Sequence, residues 1–362
     1  MNRRVIITGL GFVTNEGCSS ESIWNMVCKG KKKKYVSDIK DFELTNDLRD
    51  RYVGICTCAR IGIKAAELAW NEALAEDSDI SRDRWGIMAG TAFGESASMY
   101  ANQCRTLVEQ GTSWLLPSMA MNKGAKTTAD IYSIEHKLYG GNLTFESGKI
   151  ASGMAALHAY DEITHDFLDG VVVVGVEYID DCLVSALKSV GFPGYEYLSS
   201  GACAIVMEAE GRSGSNGASA IVAAVESLAN AGKPYSYNRS LYKSIKNCIV
   251  KTINSAGMAL NDIDLIIYSK VNNPIADFCC EKALTKLFGV EGNKAVIVSA
   301  TDILGDMLGA NPSMAIGLGL IFLNKQCVIN NYLVKPKVVK NVVVAAYDIS
   351  GAVWAMVLSG CF

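Results

Sequence analysis

Six consecutive residues, Val171-Val172-Val173-Val174-Gly175-Val176, contain no polar side chain. A half-buried strand alternates apolar and polar residues, so a run of this kind belongs to a strand covered on both faces. β-Branched valine also favours the extended state. The strand must therefore lie deep in a sheet that is itself sandwiched between other layers. The rest of the chain fits that demand. Short Val/Ile-rich runs at 5–8, 86–88, 202–207, 221–225, 265–268, 295–299, 342–346 and 353–358 read as strands. They alternate with stretches of helical period at 22–29, 60–73, 96–109, 126–136, 151–166, 238–256, 275–288 and 307–323. This is the pattern of a layered α/β protein.

At 362 residues the chain exceeds one simple core, so two packed halves are expected. The turn-rich stretch Gly211-Arg212-Ser213-Gly214-Ser215-Asn216-Gly217 is the clear connector. It separates residues 1–210 from 218–362, and both halves run through a related order of elements. Each also opens one helix with small residues, Ala151-Ser152-Gly153-Met154 in the first and Leu308-Gly309-Ala310-Asn311 in the second. Small residues at a helix start let backbone N–H groups approach a neighbour or a ligand closely. A duplicated α/β unit accounts for both observations.

Composition mainly excludes. A net charge of −3 gives no electrostatic footprint for nucleic acid. No apolar stretch reaches the length of a membrane span, 314–323 coming closest, so no membrane association is expected. The opening residues, too short and Gly-broken in their apolar part, do not read as a targeting segment. Twelve scattered cysteines, with Cys279 and Cys280 adjacent, suit reduced buried thiols and a cytoplasmic location. Cys56 and Cys58 lack metal-ligand spacing and only three histidines exist, so no metal is expected. Gly9-Leu10-Gly11 continues without the spacing of a dinucleotide loop, and no cofactor is expected.

Five collinear segments point to a family. Arg4-Val5-Ile6-Ile7-Thr8-Gly9-Leu10-Gly11-Phe12-Val13-Thr14 reads as an opening strand and loop, and Gly86-Ile87-Met88-Ala89-Gly90-Thr91-Ala92-Phe93-Gly94 as a Gly-rich strand end. Leu138-Tyr139-Gly140-Gly141-Asn142-Leu143-Thr144-Phe145 precedes Ala151-Ser152-Gly153, and Asp169-Gly170 leads into the valine run and Glu177. Glu281-Lys282-Ala283-Leu284-Thr285-Lys286-Leu287-Phe288-Gly289 closes the set. Together they resemble the β-ketoacyl synthases of fatty-acid and polyketide synthesis. The resemblance implies a thiolase-like fold of two pseudo-repeated halves in five layers, αβαβα.

A ketosynthase needs a thiolate at a helix N-terminus, where the dipole lowers the thiol pKa. It also needs two histidines for decarboxylation and for the enolate and oxyanion. In the resemblance the nucleophile position is Ile150, and no cysteine lies between Cys104 and Cys182. The first histidine falls on Ser269 and the second on Asp306, while the lysine upstream of the second falls on Thr301. All three histidines, His136, His158 and His165, lie in the first half. The C-terminal Gly-rich loop reads Asp348-Ile349-Ser350-Gly351, and the long loop over the active site has shrunk to Gly191-Phe192-Pro193-Gly194-Tyr195-Glu196-Tyr197-Leu198. Asp306 is expected as a neutral, hydrogen-bonded replacement in a closed-over pocket. No catalytic residue of the family is left.

Loss of chemistry on a kept scaffold resembles the chain-length factor, the non-catalytic ketosynthase-like subunit of bacterial type II polyketide synthases. The resemblance implies a heterodimer with an active ketosynthase, and an acyl carrier protein that brings the growing polyketide. It puts the subunit contact on the strand Val171, Val172, Val173 and Val174. It also lines the acyl tunnel with Phe93, Ser96, Tyr100 and Met119, where bulky side chains would limit an aromatic polyketide, or a polyene, in length. Other readings are a homodimeric acyl-binding protein, or a decarboxylase or acyltransferase of altered chemistry. Phe93 and Tyr100 also suit ordinary core positions. Lys31-Lys32-Lys33-Lys34 suits a solvated loop better than a carrier contact.

Overall fold

The computed structural model describes residues 3–29, 39, 51–52, 54–73, 80–115, 124–211, 219–229, 238–289, 295–330 and 333–361. Met119, Lys31 to Lys34 and the connector beyond Gly211 lie outside the described residues. Along the first half run β1 (Val5–Thr14), α1 (Ser20–Lys29), α2 (Thr57–Ala73), β2 (Trp85–Gly90), α3 (Ser96–Gln110) and α4 (Thr127–His136). They are followed by β3 (Asn142–Phe145), α5 (Ala151–Thr164), β4 (Gly170–Glu177), α6 (Asp181–Ser189) and β5 (Gly201–Ala209). The second half contains β6 (Ala220–Ala229), α7 (Leu241–Ser255), β7 (Leu265–Tyr268), α8 (Pro274–Phe288), β8 (Val296–Ser299), α9 (Ala300–Leu304) and α10 (Asn311–Lys325). A hairpin of β9 (Cys327–Asn330) and β10 (Leu333–Pro336) precedes β11 (Asn341–Tyr347) and β12 (Ala352–Gly360).

Ten strands form one hydrogen-bonded sheet in the order β3-β2-β4-β5-β1-β6-β12-β11-β7-β8. Read outward from the β1–β6 seam, the two halves have the same order and the same strand directions. β4 runs parallel to β2 and antiparallel to β5, just as β11 runs parallel to β7 and antiparallel to β12. The seam is short: Val5, Ile6 and Ile7 pair with Val222, Ile221 and Ala220.

Three apolar cores separate five layers. α5 and α10 share one core with the inward side chains of both half-sheets, among them Phe12, Ile205, Met356 and Leu358. α2 and α4 cover the outer face of the first half-sheet through Ile61, Ala65, Ala69 and Tyr132. α7 and α8 cover the second through Ile245, Ile249, Cys280 and Leu284. This is the thiolase-like ketosynthase arrangement. α10 is buried on every side from Asn311 to Leu323, as a helix in the middle layer must be. Gly175 lets the two middle helices reach β4, because a Cβ there would stand 2.0 Å from Ser313 Oγ and 2.7 Å from Ser152 Cβ.

β4 is central, as its composition requires, and this overturns one expectation. Val171 to Val174 hydrogen-bond to β2 on one edge and to β5 on the other, and all four are fully buried. A strand with both edges occupied has no backbone groups left for a second subunit. The free edges of the sheet belong to β3 and β8.

Candidate functional site

The position that the resemblance assigns to the nucleophile lies at the start of a helix. A 3-10 turn, Gly148–Ile150, leads into α5, and Ile150 is its N-cap residue. The first-turn N–H groups and dipole of α5 would favour an anion at this point. Ile150 offers them a buried hydrocarbon instead, packed in the middle core.

The neighbouring residue holds the centre. Lys149 is buried, and its Nζ donates to Asp306 Oδ2 at 2.5 Å and to the Val271 carbonyl at 3.3 Å. Its stem is exposed by 5% and the Asp306 side chain by 1%, so the pair is out of water. The centre of the Phe192 ring lies 5.6 Å from Nζ. Asp306 Oδ1 accepts from Asn311 Nδ2 at 2.8 Å and from the Leu308 N–H at 3.1 Å. Both carboxylate oxygens therefore have donors, which a buried charge requires. Asp306 is thus an ion-pair partner and not the neutral replacement expected of it. Sequence reasoning passed over Lys149. The signal was a lysine beside the nucleophile position at the start of a small-residue helix, where burial demands a counter-charge.

The other positions that the resemblance marks as degenerate, Ser269 and Thr301, belong to or hold the loop that reaches Lys149. Ser269 follows β7, donates its N–H to the Ala345 carbonyl at 3.2 Å, and is buried with its hydroxyl lacking a partner among the described residues. Two residues on is Val271, whose carbonyl meets Lys149. Thr301 Oγ1 accepts from the Lys270 N–H at 2.9 Å and so fixes this loop from the other side. Asp348 Oδ1 accepts from the Lys149 N–H at 2.8 Å. Gly148 permits that contact: its φ is +59°, and a Cβ there would lie 2.4 Å from Asp348 Oδ1. Ile150, Ser269, Thr301 and Asp306 thus surround one locus contributed by both halves. The shortened loop serves it too, since the Tyr197 carbonyl accepts from the Asp306 N–H and the Ser199 N–H donates back to the Asp306 carbonyl, each at 2.9 Å.

Behind the centre, Glu177 at the end of β4 is fully buried. Its carboxylate accepts from the N–H groups of Ala92, Phe93 and Gly94 in the first half and Gly309 in the second. The Thr91 hydroxyl donates as well. Burial pushes the Glu177 carboxyl up to about 7, against these donors, which favour the anion. Among the described residues, no three His, Cys, Asp or Glu side chains gather as a metal site would need.

Phe93 and Tyr100 are not core residues: 39% and 60% of their surface is exposed. Phe93 is held by its backbone bond to Glu177, and Ser96 and Tyr100 lie on α3. This helix buries only Met99 and leaves Leu107 and Val108 exposed, with Trp114 just beyond it. The edge strand β3 exposes Leu143.

Comparison with known proteins agrees with the fold. Residues 54–229 match the model of the β-ketoacyl synthase N-terminal domain. A 3-oxoacyl-[acyl-carrier-protein] synthase 2 of Coxiella burnetii is 23% identical over 347 residues, covering 85% of this chain and 83% of its own length. Its namesake from Vibrio harveyi is 22% identical over 367 residues, covering 90% and 87%. Among solved structures, a type II polyketide synthase acyl-carrier protein in complex with its ketosynthase bound to the hexaketide superposes with a TM-score of 0.85 at 17% identity, over the whole of both chains. The ishigamide ketosynthase/chain length factor gives 0.84 at 17% identity, again over both chains entirely.

Proposed function

We propose that this chain, whose residues 54–229 match the model of the β-ketoacyl synthase N-terminal domain, is a non-catalytic ketosynthase-like subunit of that family that pairs with an active ketosynthase and shapes its acyl tunnel. The Lys149–Asp306 pair carries the reading. A condensing centre has to admit a thioester, a thiolate and two proton-handling groups. Here a buried ion pair, a hydrocarbon at the nucleophile position and the Phe192 ring fill the corresponding place. The same closure disfavours an acyltransferase or decarboxylase of altered chemistry.

The paired assembly is supported by the free edge of β3 and by α3, whose outward apolar residues a monomer would leave in water. These elements take over the subunit contact from β4. Phe93 and Tyr100, exposed in the single chain, would be covered by a partner that seats on α3. In that position they limit the length of the chain the partner builds, and an aromatic polyketide is the proposed product class. The named neighbour that pairs a ketosynthase with a chain length factor supports the kind of assembly.

Native mass spectrometry of the chain, alone and with candidate ketosynthases, tests the pairing. A one-to-one complex is the expected result, and a homodimer indifferent to every ketosynthase overturns the reading. Within the complex, Phe93→Ala and Tyr100→Ala are expected to shift products to longer chains, read by mass spectrometry of the released polyketides. Unchanged products from an intact complex remove the length-setting role.

A further inference from the structure

Ala92, Phe93 and Gly94 join β2 to α3 and turn three successive N–H groups toward one buried side chain. Glu177 Oε2 accepts from Ala92 at 2.7 Å, and Oε1 accepts from Phe93 at 3.0 Å and from Gly94 at 2.8 Å. The Thr91 hydroxyl donates to Oε1 at 3.1 Å and itself accepts from the Gly94 N–H at 2.8 Å. From the second half, the Gly309 N–H reaches Oε2 at 3.1 Å. Gly309 is pressed onto the same segment, since a Cβ there would stand 2.3 Å from the Ala92 nitrogen. The residue before it, Leu308, has a φ of +42°, a backbone conformation that costs a leucine energy and has to be held from outside. Its N–H goes to Asp306 Oδ1 at 3.1 Å. Asp306 and Glu177 thus grip consecutive N–H groups of one strained turn. By contrast α3 is lightly anchored. It buries Met99 alone, Cys182 Sγ reaches the Ala97 carbonyl at 3.6 Å, and its N-cap residue Glu95 accepts from the Cys58 N–H at 3.0 Å.

We infer that Glu177 is the positioning residue for product length: its carboxylate sets where Phe93 stands, an assignment that rests on the length-setting role of Phe93 proposed above. Bonds to an ionised acceptor are about twice as strong as neutral ones, and here one charge holds four N–H groups. Protonation turns one carboxylate oxygen into a donor that faces other donors, so the grip on 92–94 loosens and Phe93 is free to retreat. The groups facing Glu177 leave its charge in control. The Cys58 thiol of α2 interacts with it and is pushed well above its ordinary pKa by burial, so it stays neutral, with Cys56 and Glu95 on its other side. Asp306, beyond Gly309, is already paired with Lys149. Burial pushes the Glu177 carboxyl itself up to about 7. On this reading the closed centre keeps a mechanical task, because Lys149 holds Asp306, Asp306 holds the turn, and the turn and Glu177 together hold Phe93.

The test measures the ratio of longer products to those of wild-type length, by mass spectrometry, in the complex of this chain with its ketosynthase and carrier protein. Glu177→Gln is expected to raise that ratio about tenfold, as loss of a charged acceptor does to a held conformation. Added to Phe93→Ala it is expected to change nothing further, because it acts through Phe93, whereas a general loosening of the fold would add to the effect. The wild-type complex is expected to give more of the longer products as pH falls from about 8 to about 6, while Glu177→Gln and Phe93→Ala give flat profiles. The wild-type profile needs no variant, so it decides the matter even if circular dichroism shows Glu177→Gln unfolded. A wild-type ratio constant over this range in an intact complex, or additive effects in the double variant, overturns the assignment of Glu177 alone. Products unchanged by Phe93→Ala overturn it together with the reading beneath it.

Discussion

At the scale of single residues, Lys149 and Asp306 decide how this centre behaves. Removing one partner of a buried pair leaves an uncompensated charge, which costs about 3–5 kcal/mol, whereas replacing both with apolar residues is often neutral or better. Lys149→Met is therefore expected to lower unfolding stability in urea by about that amount. Lys149→Met/Asp306→Leu is expected to recover most of it. A single variant as stable as the wild type would show that the charges do not depend on each other. A thiol alone is not expected to give catalysis. Ile150→Cys puts sulfur at the start of α5, yet Ser269 and Asp306 provide no imidazole, so condensation in a coupled carrier assay is expected to stay at background. The four positions expected to be degenerate, Ile150, Ser269, Thr301 and Asp306, were each reached by a count along the chain. The partner of Asp306 was not, because an ion pair across 157 positions of sequence leaves no local pattern.

At the scale of elements, the same property both located β4 and misled the interface assignment. An all-valine run marks a strand covered on its two faces, and such strands sit inside a sheet with their edges hydrogen-bonded. A strand with a free edge has to be sought where polar and apolar residues mix. Asn142-Leu143-Thr144-Phe145 was quoted as part of a motif but not read as a strand, being four residues long with half of them polar. It becomes β3 only because β2 pairs with it in parallel. The short helices α6 and α9 and the β9–β10 hairpin escaped for the same reason, since tertiary contacts define them and periodicity does not. The long helices and the apolar strands were legible within a few residues. Thr144→Pro removes a backbone donor from β3 and is expected to weaken subunit pairing in native mass spectrometry while the chain alone keeps its circular dichroism spectrum. Pairing at wild-type strength would move the contact elsewhere.

At the scale of the molecule, the halves are joined by a three-residue seam, by Glu177 and by Lys149, so cooperativity must come from the shared middle layer. Acid tests it through His136, whose ring stacks on Tyr132 with centres 4.0 Å apart. Burial, assisted by Arg82, lowers its pKa from 6.5 to about 4. Protonation thus favours the unfolded chain: the contribution is whole above pH 6.5 and is lost as pH falls through 4. At 1.36 kcal/mol per pH unit this amounts to about 3 kcal/mol. Glu177 acts in the opposite sense, its contribution being whole below 4.5 and fading as pH rises through 7. The comparison is therefore made against His136→Phe in denaturant titrations at pH 7 and pH 4. The gap in stability between wild type and variant is expected to change by about 3 kcal/mol between these two pH values, and a constant gap would refute the assignment.

The Lys149–Asp306 pair also bears on ancestry. A lineage that once carried out condensation cannot return one substitution at a time. Changing Lys149 first, or Asp306 first, strands a charge in the interior of a protein whose whole margin of stability is about 5–15 kcal/mol. On the reading proposed above, each single step back gives up about 3–5 kcal/mol of that margin, so the pair acts as a ratchet against the return of condensation.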